Sequence, residues 1–172
     1  MATDVLRGFV CRVCGERHDL PFSYSFKAPV AVANVPPAEI ESRVIVTKDQ
    51  CVLDQRDLFL RGRILVPVHG SDEPFIWGVW AEVSPKNFLR TQEMWNNPGR
   101  EFEPAFPGYL NSIIPVFGNT LNLQVDVQTQ IVGRRPHFFV KDADHPLARE
   151  QREGITLERV EEIAQELLHP DD

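Results

Sequence analysis

Residues 57–83 read "DLFLRGRILVPVHGSDEPFIWGVWAEV", and this stretch decides the fold that we predict for the chain. Its first part alternates, with these residues sharing one parity: Leu58, Leu60, Gly62, Ile64 and Val66. A period of two is typical of a β-strand with one buried face and one wetter face. The polar segment "HGSDEP" at 69–74 separates it from a second apolar run. The stretch therefore predicts a long antiparallel hairpin.

Further strands are predicted on both sides of this hairpin. Residues 42–54, "SRVIVTKDQCVLD", hold two apolar units around a polar turn. Residues 119–133, "NTLNLQVDVQTQIVG", alternate most clearly, and residues 135–142, "RPHFFVKD", are predicted to pair with them. These segments follow one another without repeated strand–helix units, which favours antiparallel pairing.

Two main helices are predicted from their capping signals. Ser84 and Pro85 are good residues for an N-cap and a first helical position. The segment from about 156 to 169 begins at Thr156 and carries an apolar stripe at helical spacing. The predicted fold class is therefore α+β, with a largely antiparallel β-sheet and the two helices packed on it. We expect a single domain over 1–172, with an N-terminal Cys-x-x-Cys knuckle at about 8–20.

Composition and charge exclude several function classes. The chain has 172 residues, a net charge of −7 and a pI near 5.2, so it is an acidic protein. Such a charge argues against nucleic acid or an anionic membrane as a partner. The sequence holds no apolar run of the roughly 20 residues needed to cross a bilayer and no signal peptide, so we expect a cytoplasmic protein.

The stretch "VCRVCGERHD" at 10–19 is the strongest motif for chemistry. Cys11 and Cys14 with a following glycine are typical of a zinc knuckle, because a tight turn lets both thiolates face one ion. A structural zinc ion needs four ligands, and the natural candidates for the other two are Cys51 and His18, followed by His69 and His145. Two alternatives stay open at this stage: a redox pair, disfavoured because no helix follows, and thiols that only pack as small apolar groups.

Four other places in the sequence carry candidate binding or catalytic residues. The loop at 69–74 holds His69, Asp72 and Glu73, and residues 142–153 hold His145 and Glu150. Such groups perform acid–base or metal chemistry where they meet in one cleft, but a solvated turn and a helix start are the favoured explanations. Trp77 and Trp80 have opposite strand parity, so one of them is a candidate for an exposed ligand or partner surface, although packing of both is favoured. Arg134, Arg135 and His137 form a candidate phosphate or carboxylate site, with a solvated strand end as the favoured explanation.

The longer motifs of the chain are "VPVHGSDEPFIWGVWAEVS", "NNPGREFEP", "TLNLQVDVQTQIVGRRP" and "DHPLAREQREGIT", together with the leading Cys-x-x-Cys-Gly. These motifs resemble a bacterial family of unknown function, DUF2199. The resemblance covers nearly the whole chain and implies a bacterial origin and a single domain. It implies no activity and no catalytic residues.

The sequence favours a non-enzymatic protein that works by binding another protein, with a structural zinc ion if the cysteines converge. A basic partner suits the acidic chain, and neutralisation of a toxin by an immunity-like protein is one version of this hypothesis. The alternative is a small metal-dependent hydrolase or a ligand-binding module that uses His69, Asp72 and Glu73 with His145 and Glu150. A clear basic pocket in the structure would count against the acidic binder.

Overall fold

Short strands and short helices alternate along residues 8–170, which are the residues that this computed structural model describes. The strands are β1 (Gly8–Val10), β2 (Arg17–Asp19), β3 (Ser23–Ser25), β4 (Val44–Val46), β5 (Gln50–Leu53), β6 (Asp57–Val66), β7 (Phe75–Val83), β8 (Phe106–Leu110), β9 (Gln124–Gln128) and β10 (His137–Val140). The helices are α1 (Val30–Ala33), α2 (Ile40–Arg43), α3 (Pro85–Glu93), α4 (Pro146–Glu153) and α5 (Leu157–Leu168). Single turns of 3₁₀-helix lie at Pro37–Glu39 and Arg100–Phe102.

The long hairpin predicted from residues 57–83 is confirmed. Strands β6 and β7 pair antiparallel over their whole length, from Leu58 opposite Val83 to Val66 opposite Phe75. The parity of β6 is also as predicted, because Leu60, Ile64 and Val66 are all buried. The predicted pairing of residues 135–142 with the preceding strand is confirmed as β10 against β9.

The predicted architecture, a sheet with two main helices packed on it, is wrong, because the sheet closes on itself. Strands β6 to β10 form a five-stranded barrel in which each strand pairs with the next. The last strand then pairs with the first, with His137 of β10 opposite Arg63 of β6. An up-and-down run of five strands leaves its first and last strands pointing the same way, so this closing pair is parallel. Three more strands of the same sheet, β3, β4 and β5, extend it beyond the barrel, while β1 and β2 form a separate two-stranded sheet and several short helices lie around them.

Each of the two long strands has two pairing partners along one of its edges: one strand of the barrel and one strand outside it. Along β6, residues 57–60 pair with β5, and further along the strand Arg63 pairs with β10. Along β7, residues 76–78 pair with β3, and residues 81–82 pair with β8.

Closure of the barrel depends on a glycine in β6, since a Cβ atom at Gly62 would lie 2.3 Å from the ring of Phe138 in β10. The barrel can therefore take the Phe138 ring inside only because residue 62 has no side chain.

The apolar residues form two cores on opposite faces of the hairpin. The larger core fills the barrel and includes Ile64, Trp77 and Phe138. The smaller one lies outside the barrel, on the opposite face of the sheet formed by β4 to β7. It includes Cys51, Phe59 and Trp80, and partly buried apolar residues of the segment 26–32 pack against it. The opposite parity of the two tryptophans therefore places them in different cores, as alternation along a strand requires.

Both of the helices predicted from capping signals exist, and they are joined by a third. The hydroxyl of Ser84 accepts a hydrogen bond from the N–H of Asn87 at the start of α3, and Thr156 does the same for Arg159 at the start of α5. Helix α4 begins at Pro146 with His145 as its N-cap. The longest of these helices has twelve residues. Along residues 8–170, no helix combines the length and the apolar character that a bilayer crossing requires.

Candidate metal centre

The N-terminal Cys-x-x-Cys motif forms the turn of a small hairpin. Strands β1 and β2 pair antiparallel, with Val10 opposite Arg17. The carbonyl of Cys11 accepts a hydrogen bond from the N–H of Gly15, and the N–H of Cys11 donates to the carbonyl of Glu16. Gly15 has a φ of 75°, a left-handed conformation that glycine adopts without strain. The turn therefore places Cys11 and Cys14 on one side of the hairpin end.

Four potential metal ligands converge at this end of the hairpin: Cys11, Cys14, His18 and His169. One ligand atom from each residue lies within 4.8 Å of those from the other three. Nε2 of His18 and Sγ of Cys14 are 3.1 Å apart, and the rings of His18 and His169 meet edge to face with centroids 6.4 Å apart. Ligand atoms around a tetrahedral zinc ion are separated by about 3.3–3.8 Å, so small side-chain movements bring all four into bonding distance.

Helix α5 brings His169 to the hairpin from the other end of the described chain. His169 is the residue that ends α5, and its N–H donates to the carbonyl of Gln165. The buried face of α5, with Val160, Ile163 and Ala164, belongs to the same core as Phe9, Cys11 and Leu20 of the hairpin region. This shared core positions the C-terminal end of the helix beside the Cys-x-x-Cys turn.

The donor set suits a closed zinc site. Two sulfur and two imidazole donors form a common ligand set of structural zinc ions, and four protein ligands leave no open position for water or substrate. Hydrogen bonds from the backbone of Cys14, and then of Val13, hold the pKa of the Cys11 thiol below its ordinary value despite its burial. Donation of backbone N–H groups to a ligand sulfur stabilises the thiolate that a metal ion requires.

Cys51, a predicted ligand, does not belong to this cluster. It lies on β5 opposite Phe59 and is fully buried in the smaller core with Trp80. Strand β5 extends the sheet beyond the edge of β6, and the thiol of Cys51 lies in the apolar surroundings of the smaller core. His169 takes the place that the sequence assigned to Cys51. His18, the other predicted candidate, is present in the cluster.

Cys51 is expected to make the protein sensitive to alkali. Burial raises the pKa of this thiol from 9.0 to about 11, so the unfolded chain loses the proton first as the pH rises. Stability from this group is complete below pH 9 and declines as the pH rises towards 11, by up to about 3 kcal/mol. Urea unfolding at pH 8 and pH 11 measures this, with Cys51→Ala as the comparison. We expect the wild-type protein to lose more stability than the variant between the two pH values, and equal losses would contradict the assignment.

The residues of the alternative catalytic site are engaged in structural contacts. A ring nitrogen of His69 lies 2.9 Å from the carbonyl of Glu153, and Nδ1 of His145 accepts a hydrogen bond from the N–H of Leu147 as a helix cap. Burial raises the pKa of Glu150, although Nε of Arg159 lies 2.7 Å from its carboxylate. Within residues 8–170, no metal-binding group of three or more His, Cys, Asp or Glu side chains includes these residues.

The remaining candidates for a binding surface divide into solvated and buried residues. Asp72 and Glu73 lie exposed in the hairpin loop, where the Ser71 hydroxyl accepts a hydrogen bond from the N–H of Glu73, as in an ordinary polar turn. Trp77 and Trp80 are both fully buried, so neither contributes to an exposed surface. The indole N–H of Trp80 donates to the carbonyl of Phe26, which satisfies its polar end inside the protein.

Sequence reasoning missed two residues that organise the structure, His169 and Arg100. The order of residues gives no sign that the end of the last helix meets residues 11–18. Arg100 is a buried arginine, 5% exposed, whose guanidinium donates to four backbone carbonyls: those of Trp95, Gln130, Ile131 and Arg134. The signal in the sequence is only an arginine after Pro98 and Gly99, which resembles many surface turns.

The chain belongs to the bacterial family DUF2199. The family model, described as "Uncharacterized protein conserved in bacteria (DUF2199)", matches residues 10–155. The resemblance that the sequence motifs indicate is therefore confirmed. The matched range includes Cys11, Cys14 and His18 and ends before His169. Comparison with curated proteins found no match, and comparison with solved structures found none either.

Proposed function

We propose that this protein is a non-catalytic binding domain whose N-terminal hairpin and last helix are joined by a structural zinc ion. The observation that carries the proposal is the convergence of Cys11, Cys14, His18 and His169 within 4.8 Å. Zinc is the metal that two thiolates and two imidazoles in a closed tetrahedral arrangement favour. Because all four positions belong to the protein, the ion supports the fold and leaves no site for a reacting water molecule.

Metal analysis of protein purified without chelator tests this proposal. We expect about one zinc ion per chain, and close to none in Cys11→Ser, Cys14→Ser and His169→Ala. Cys51→Ala is the matched control, because it removes a buried cysteine that lies outside the cluster and should retain the ion. Metal-free wild-type protein, with unchanged stability in both serine variants, would overturn the proposal.

Binding of a protein partner in the cytoplasm is the finer part of the proposal. Its support is the net charge of −7, which favours a basic surface on the partner, as an immunity-like protein would require. Three free thiols also suit a reducing compartment. An arginine-lined cleft, described below, counts against a uniformly acidic binding surface. Turnover of a substrate by the purified protein would contradict the non-catalytic assignment.

A further inference from the structure

A basic cleft of about 650 Å³ lies where β3 meets β7, close to the loop before β10. The charged residues that line it are Asp49, Arg63, Arg100, Arg134 and Arg135. Four arginines against one aspartate make this cleft positive, whereas the chain as a whole carries −7. A low-dielectric concave surface lined by one sign of charge concentrates ions of the opposite sign.

Two of these arginines have neither an acidic nor a carbonyl partner for their side chains among residues 8–170. Arg135 pairs with Asp49, with 2.8 Å between Nε and Oδ1, and Arg100 donates to backbone carbonyls. By contrast, the side chains of Arg63 and Arg134 form no ion pair or hydrogen bond with any residue in the described range 8–170. Arg63 is only partly exposed, so its charge is not fully solvated. An arginine in this situation gains from an anion that enters the cleft.

Uncharged hydrogen-bond donors line the cleft together with the arginines. Ser23 and Ser25 are alternate residues of β3 and therefore face the same side, and both line the cleft. A Cβ atom at Gly78 would lie 2.4 Å from Oγ of Ser25, so the glycine allows β3 to approach β7 this closely. The amide of Asn96 adds another polar group, and the ring of Trp95 forms an apolar wall. Charged donors, hydroxyls and one aromatic wall are the usual composition of a small-molecule site.

Ionisable groups next to the cleft report its positive potential. Burial lowers the pKa of His137, and the charges of Arg63 and Arg134 lower it further. Burial also lowers the pKa of Arg61, and Arg135 adds to the effect. The surroundings of His137 and Arg61 therefore disfavour a further positive charge, and a bound anion would offset this effect.

We propose that this cleft binds the phosphoryl group of a small molecule, with Arg63 and Arg134 as its charged ligands. Guanidinium groups pair with phosphate oxygens in two parallel hydrogen bonds, and the serine hydroxyls can bind the remaining oxygens. The volume of about 650 Å³ is that of an ordinary small-molecule site. A net charge of −7 opposes the approach of a long polyanion. The cleft shares no residue with the cluster of Cys11, Cys14, His18 and His169. This proposal therefore goes beyond the proposed function and does not depend on it.

A neighbouring cleft of similar size shows why the argument applies to only one of them. That cleft, of about 590 Å³, is lined by Lys86, Arg90 and Arg100, but also by Glu93 and Glu103, which both form ion pairs with Arg90. Two carboxylates therefore stand against its three cations, and an entering phosphate would have to compete with them for Arg90.

Calorimetric titration with pyrophosphate at constant ionic strength tests the proposal. We expect saturable binding to the wild-type protein and an affinity that is lower by about tenfold or more in Arg63→Gln and in Arg134→Gln, since each loses a charge-assisted contact. Arg152→Gln is the matched control, because it removes the same charge at an exposed position outside the cleft and should leave the affinity unchanged. The urea unfolding midpoint confirms that each variant is folded. Because the Arg134 side chain is exposed, its variant remains informative if Arg63→Gln fails to fold.

Several outcomes would overturn the proposal. The first is the absence of pyrophosphate binding, or equal binding by the wild-type protein and both cleft variants. A second is citrate binding that is as tight and as dependent on Arg63, which would make the site one for carboxylates. A third is tighter binding of a single-stranded RNA oligonucleotide than of pyrophosphate through the same arginines, which would assign the cleft to a polymer. Weak citrate and RNA binding beside arginine-dependent pyrophosphate binding supports it.

Discussion

Removing the metal ion is expected to lower the free energy of unfolding by about 4 kcal/mol when free zinc exceeds its dissociation constant a thousandfold. The ion would connect the turn at Cys11 and Cys14 to His169, and thus the first and last described elements of the chain. Ligands that bind only the folded state stabilise it by this linkage, and a connection between distant residues also restricts the unfolded chain. Urea unfolding with and without a chelator measures the effect.

The variants separate the metal from the packing around it. His169→Ala should lose nearly the same stability as chelation does, and chelator should have little further effect on it. Cys51→Ala should keep its full response to chelator, although it loses the packing of one buried thiol. Amide exchange should increase most in β1, β2 and the last turn of α5, while β6 and β7 remain protected by the barrel core. If the protein binds zinc and its free energy of unfolding is the same after a chelator has removed the ion, the ion does not hold these elements together.

Replacement of Arg100 by alanine is expected to be the most destabilising change among the polar residues, at about 3 kcal/mol. The buried guanidinium donates to the carbonyls of Trp95, Gln130, Ile131 and Arg134. Without it, these acceptors lose their partner, and the loop at 130–134 loses its attachment to the chain around Trp95. Because Arg134 belongs to that loop, pyrophosphate binding in the cleft should weaken as well.

Two controls test whether the geometry of Arg100 or only its charge matters. Arg100→Lys keeps the positive charge but cannot reach four carbonyls from one planar group, so we expect it to recover only part of the lost stability. Arg152→Ala removes an exposed arginine and should change stability by no more than about 0.5 kcal/mol. Urea unfolding gives both values. A loss below about 1 kcal/mol in Arg100→Ala would contradict a role in holding the loop.

Local patterns in the sequence were sufficient for the long hairpin, for the strands within residues 42–54 and 119–142, and for the starts of α3 and α5. Alternation predicts β6 and its buried parity, and the capping residues Ser84 and Thr156 predict where α3 and α5 begin. These features follow from neighbours within a few residues, where the period of the backbone decides which side chains share a face. The same locality explains why the Cys-x-x-Cys turn was a sound prediction for one half of a metal cluster.

Only the tertiary structure decided how these elements join. Alternating strands are compatible with both an open sheet and a barrel, and the parallel contact of His137 with Arg63 is what closes this one. That contact depends on the curvature of the whole sheet and on the space left at Gly62 for Phe138, which no local pattern expresses.

The same distinction between local sequence and tertiary structure applies to the Cys/His cluster and to the basic cleft. The sequence by itself determined which residues have the chemistry: two cysteines in one turn, a histidine four residues after the second, and an arginine pair before the last strand. The fold decided that Cys51 is enclosed in an apolar core while His169 meets the turn, and that Arg63 joins Arg134 and Arg135 in one cleft. Side-chain chemistry is a property of single residues, whereas a site requires distances that only the packing of distant segments sets.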